Sequence, residues 1–225
     1  EHRQMLKLKE GSKYEVYIDS SLEKGLMNYG EMLIKGKSSK EILLSSYICH
    51  PSMANNELSG PTVLTFIAKW LKSLDLNYSY RIVFLPETIG SIYYLSKHLK
   101  TLKKNVIGGF VLTCMGDNRT FSYLPSRYGN TLSDRIAKNV LKHLYPHYES
   151  YSFLDRGSDE RQYCSPGVDL PICSIMRTKY HEYPEYHTSK DDLSLISSEG
   201  LFGGYQAIYN AIQIFENNRI YNSRF

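Results

Sequence analysis

A three-layer α/β fold around a mixed, mostly parallel sheet is what this 225-residue sequence predicts. Short apolar runs at residues 41–49, 78–85, 106–115 and 170–176 read as buried strands, and stretches with apolar residues at helical spacing lie between them. His50 and Glu87 each stand directly after such a run, at the carboxyl edge where open α/β sheets build their sites.

In chain order, residues 14–19 alternate apolar and polar, and residues 30–34 follow a turn-like Asn28-Tyr29-Gly30. These first forty residues are β-rich and break the later alternation, so 1–40 is assigned to part of a small β subdomain and 41–225 to the α/β domain. After the strand at 41–49, Pro61 opens a helix to about residue 74. A strand at 78–85 and a helix at 89–102 follow. In the strand at 106–115, Gly108-Gly109 marks a point of close approach. A polar helix at 132–144, a short strand near Tyr151, a strand at 170–176 and a helix at 201–215 complete the series.

Composition is that of a globular protein, 42% hydrophobic and 22% charged. A formal charge of +4, scattered along the chain, argues against nucleic acid or an anionic membrane as partner. No apolar run approaches the roughly 18 residues that cross a bilayer, and no apolar core follows Glu1-His2-Arg3-Gln4 as a secretory signal requires. Four cysteines without CxxC spacing fit reduced thiols, so a cytoplasmic location is expected. The start without methionine reads as a piece cut from a longer protein.

Two distant histidines with an acid between them suggest a metal-hydrolase site. His50 lies in Cys49-His50-Pro51-Ser52, ahead of a polar loop, Asn55-Asn56-Glu57-Leu58-Ser59-Gly60, that runs into a helix. Glu87 lies in Leu85-Pro86-Glu87-Thr88-Ile89-Gly90, and His187 in Tyr186-His187-Thr188-Ser189-Lys190-Asp191-Asp192. Each has a plainer reading: a loop histidine, an acid favoured at a helix N-terminus, a set of turn caps. Asp191 or Asp192 is a candidate to orient the His187 imidazole. The loop Asp155-Arg156-Gly157-Ser158-Asp159-Glu160-Arg161-Gln162 reads as solvated charge or as substrate-binding surface.

Together these segments resemble the zinc exopeptidases of the aminopeptidase type, closest to a bacterial aminopeptidase-like subgroup associated with polysaccharide biosynthesis. The resemblance spans residues 41–215 and implies a zinc-exopeptidase-like fold whose first strands and helix are absent from this chain. It implies His50 and His187 as metal ligands and Glu87 as general base. Asn56 falls where that family has a metal-bridging aspartate, and Thr88 where two-metal relatives have a second glutamate. Thr113 ends a strand where another aspartate ligand is expected, while Asp117 is out of step by several residues.

Neutral side chains at these positions cannot offset the repulsion between two dications about 4 Å apart, so at most one zinc is expected, held by His50, Asn56 and His187 with impaired affinity or absent altogether. Glu57 would replace the weak Asn56 carbonyl only if the loop shifted. The function implied is amide hydrolysis by a metal-activated water with Glu87 moving the proton. Asp159, Arg161 and Arg177 would hold a small peptide or an amide-bearing sugar, since guanidinium groups bind carboxylates in bidentate fashion. The alternative is a binding protein on the same fold, silenced by Asn56.

Overall fold

The computed structural model describes residues 2–50 and 52–218, so Pro51 of the Cys49-His50-Pro51-Ser52 motif lies outside the described residues. A single turn, α1 (His2–Met5), is followed by exposed chain without a strand until β1 (Gly30–Ile34). The alternating residues 14–19 are therefore not a strand: their pattern finds no pairing partner among the described residues, and an unpaired strand is unstable in water. β1 pairs antiparallel with β3 (Ser79–Leu85), which makes it the edge of the main sheet and places the sheet's start before residue 41.

β2 (Glu41–Tyr47), β3, β4 (Val106–Val111) and β7 (Ile172–Met176) form the parallel centre of a seven-stranded sheet of order β1-β3-β2-β4-β7-β5-β6. β5 (Ser122–Leu124), not foreseen from sequence, runs antiparallel to β7 and carries the two-residue β6 (Glu149–Ser150). The helices are α2 (Ser59–Leu71), α3 (Ile89–Asn105), α4 (Leu132–Leu144), the short α5 (Glu160–Tyr163) and α6 (Ser198–Asn217).

The three layers follow from strand alternation. Ile42 and Leu44 of β2, with Ile82 and Phe110, pack against α2, α4 and α6. Leu43 of the same strand faces the other way, with Val83 and Val111, against α3 and α5. Gly109 is a point of close approach as expected, because a Cβ there would sit 2.0 Å from the Leu43 carbonyl oxygen. Among the described residues no helix is long and apolar enough to cross a membrane.

β3 lies on one side of β2 and β4 on the other, so the strand order reverses beside the carboxyl end of β2. Crevices at such reversals are where open α/β sheets bind ligands. His50 follows β2, Glu87 follows β3, and His187 lies in the loop between β7 and α6.

Candidate active site

Three of the sequence-assigned residues meet at this edge. His50 and His187 have ring centroids 5.6 Å apart, and His50 Nε2 is 3.9 Å from Glu87 Oε2. His187 adopts a left-handed backbone, φ 54°, and its ring stacks on Tyr186 at 3.9 Å. A non-glycine residue in that conformation is held there by its surroundings. Burial, then the neighbouring His50 and His181, lower the His187 pKa, which favours the neutral imidazole.

Between β2 and α2 the chain forms one π-helical turn, Ala54–Leu58. Such wide turns redirect side chains, and here two consecutive residues are turned to different tasks. Asn56 is 2% exposed; its Nδ2 donates to Tyr47 Oη at 2.8 Å, and its Oδ1 is buried with no hydrogen-bond partner. Glu57, 3% exposed, places Oε2 2.8 Å from His50 Nδ1 and accepts the Cys49 backbone N–H through Oε1. Glu57 thus stands beside His50 on the Nδ1 side of the ring, and does not take the place of Asn56 facing His187. Thr113, at the end of the β4 run, donates its hydroxyl to the Asn56 carbonyl at 2.9 Å and is no ligand substitute.

Glu87 is half-buried, and Ser158 Oγ donates to its Oε1 at 2.5 Å. Burial raises the Glu87 pKa; the Ser158 hydrogen bond and His50 oppose the rise, and the charges of Glu160 and Glu57 add to it. The Glu87 backbone N–H donates to Cys49 Sγ at 3.2 Å. Thr88, with φ 62°, gives its N–H to Asp159 Oδ1 at 2.8 Å, and Ser91 Oγ donates to the same oxygen at 2.9 Å.

Several expected roles change. Asp159 is fully buried and supports the Thr88 turn instead of facing substrate, with burial pushing its pKa up to about 7. Arg177 is turned inward: Nε donates to the Asp117 carbonyl at 2.8 Å, and the guanidinium lies 4.0 Å from the Phe121 ring centroid. Arg161 is exposed and donates to the Gly157 carbonyl at 3.2 Å. Asp191 does not orient His187; its carboxylate accepts the N–H groups of Asn55 and Asn56 at 2.6 and 3.1 Å and fixes the π-turn. Asp192 caps Ser194 at 2.8 Å on the surface. Asp117 is committed to Asn55 and Thr178.

Ser158, Glu57 and Tyr47 were not assigned from sequence. Only Glu57, acidic and one residue from the expected ligand position, gave a signal there.

The family described as a domain of unknown function (DUF4910) matches residues 4–218. The chain belongs to the DUF4910 family. This DUF4910 chain is 47% identical over 208 residues to a Clostridium acetobutylicum protein named as a candidate polysaccharide biosynthesis protein with an aminopeptidase-like domain. The match covers 92% of this chain and 48% of that protein, so the chain spans about half the length of the curated relative. A crystal structure from the same organism, named as a candidate peptidase, superposes with TM-score 0.82 at 44% identity, covering 85% of this chain and 45% of that one. A zinc aminopeptidase from Bacillus subtilis superposes with TM-score 0.64 at 18% identity, over 83% of this chain and 48% of that one. The DUF4910 chain therefore has the aminopeptidase-like α/β fold that its motifs imply.

Proposed function

We propose that this chain carries the site of a metal-dependent amide hydrolase of the aminopeptidase type. The observation that carries the proposal is the convergence of His50, His187 and Glu87, from three separate loops, on one sheet edge. Its support outside the site is the fold and the resemblance to aminopeptidase-like relatives.

The donors fit one ion and not two. The His50 and His187 imidazoles and the orphaned, buried Asn56 Oδ1 would hold a single zinc, and an uncharged amide oxygen cannot balance a second dication. Bound there, zinc would polarise the scissile carbonyl and acidify a water.

The remaining work belongs to side chains. Glu87, its carboxylate fixed by Ser158 and its proton affinity raised by burial, takes the proton from the attacking water. It then delivers that proton to the leaving nitrogen. Glu57 holds the His50 ring through Nδ1, leaving Nε2 turned toward Glu87. Arg161, exposed in α5 three residues after Ser158, is the cation that this reading assigns to a carboxylate of a small peptide or an amide-bearing sugar.

The test is hydrolysis of a panel of aminoacyl amides and N-acylated sugars by zinc-reconstituted protein. Turnover by the wild type, absent from Glu87→Gln at equal zinc content, supports the proposal. Zinc uptake without turnover of any amide favours the binding-protein alternative, for which the neutral Asn56 is the structural reason.

A further inference from the structure

On the opposite side of the His50 ring lies a second donor set, completed by Cys49, to which the hydrolase reading gives no ligand role. Cys49 Sγ is 3.3 Å from His50 Nδ1, and Glu57 Oε2 is 2.8 Å from the same nitrogen. All three ligand atoms lie within 4.8 Å of one another. They open on a cleft of about 470 Å³ lined by Ile48, Cys49, His50, Glu57, Leu58 and Pro61. Tetrahedral zinc, with Zn–S of about 2.3 Å and Zn–N of about 2.0 Å, sets its donors about 3.5 Å apart, so the cluster needs little adjustment to close on an ion.

We propose that Cys49, His50 Nδ1 and Glu57 form a binding site for a thiophilic divalent cation, with a fourth position open to the cleft. A thiolate, an imidazole and a carboxylate together select zinc, cobalt or cadmium over calcium and magnesium. On binding, Cys49 releases its thiol proton to solvent, and the His50 proton moves from Nδ1 to Nε2 by exchange with solvent, so the ring coordinates as a neutral imidazole. The Glu87 backbone N–H, 3.2 Å from Sγ, is already placed to stabilise the thiolate.

The shared histidine gives this site a consequence. A neutral imidazole has one lone pair, so coordination through Nδ1 leaves Nε2 protonated and unable to serve an ion on the His187 side. Occupation of the two sites is mutually exclusive, and a thiophilic ion at Cys49 switches off the one facing His187. The assignment of the Cys49 site stands independently of whether the protein hydrolyses amides.

Titration of metal-free, reduced protein with cobalt(II) chloride tests the assignment, because a coordinated thiolate gives an intense ligand-to-metal charge-transfer band in the near ultraviolet. The other cysteines, Cys114, Cys164 and Cys173, are fully buried, so Cys49 is the thiol that such a band reports. The expected result is a band that saturates at one equivalent, persists in His187→Ala and vanishes in Cys49→Ser, with at least tenfold weaker binding in Glu57→Gln. Absence of the band from the wild type, its survival in Cys49→Ser, or its loss in His187→Ala would overturn the proposal. Cys49 is exposed, and serine there is nearly isosteric, so the decisive variant leaves the core intact.

Discussion

Glu57 Oε2 lies 2.8 Å from His50 Nδ1, so the carboxylate beside neutral Asn56 is spent on the histidine's outer nitrogen. A carboxylate there accepts the Nδ1 proton and fixes the ring as the tautomer with a free lone pair on Nε2. In Glu57→Gln the carbonyl can still accept one of the two N–H groups, from His50 or from Cys49, but not both. Nitrogen-15 spectra of the imidazoles should show one dominant His50 tautomer in the wild type and a mixture in the variant. Zinc affinity at the His187 side should fall by about 10- to 100-fold. An unchanged tautomer would remove Glu57 as the orienting group.

The pH dependence of hydrolysis should carry the mark of Glu87. A general base works in its ionised form, so activity rises as pH passes upward through its pKa. Burial raises that pKa in the metal-free protein and the charge of a bound dication would lower it, so the acid limb of kcat/KM reports the balance of the two. Ser158→Ala deletes the hydrogen bond that opposes the rise, so the limb should move further up while zinc content stays constant. Glu87→Gln should cost about 10²- to 10⁴-fold in rate. A limb at the same position in both proteins would assign the titration to another group.

What sequence could reach was set by range. His50 and Glu87 are readable because each ends a run of apolar residues, and a strand end at a sheet reversal is where ligands bind. The burial of Ile42, Leu43 and Leu44 on alternate faces was legible for the same reason. The supports were not. Ser158 reaches Glu87 across 71 residues and Asp191 reaches the Asn55 N–H across 136, and no local periodicity encodes such pairs. The N-terminal alternation at 14–19 misled because a strand is defined by its partner as much as by its own pattern.

Asn56→Asp should separate the metal-bound and metal-free proteins in opposite directions. The side chain is 2% exposed, so a carboxylate there without a cation is a buried charge, which costs several kcal/mol. With zinc bound, the same charge becomes a ligand. The metal-free variant should melt below the wild type, while its melting temperature should climb further on zinc addition, with affinity at least tenfold tighter by calorimetry. Equal zinc affinities would exclude position 56 from the coordination sphere.

Asp159→Asn should stabilise the protein selectively at alkaline pH. Burial pushes the Asp159 pKa up to about 7, against the hydrogen bonds from Thr88 and Ser91 that act to lower it, while Glu87 and Glu160 raise it further. An unfolded aspartate titrates near 3.9. Because the folded value is the higher one, the folded state holds its proton more tightly. The stability this lends is complete below about pH 4, declines above it, and is lost as pH rises through 7. Asparagine keeps an oxygen for the Thr88 N–H and the Ser91 hydroxyl but has no proton to lose. The stability difference between variant and wild type, from urea unfolding, should therefore grow between about pH 5 and pH 8 by roughly a few kcal/mol. Parallel stability curves would show instead that Asp159 is ionised throughout, held by the Thr88 turn as a fixed anion beneath Glu87.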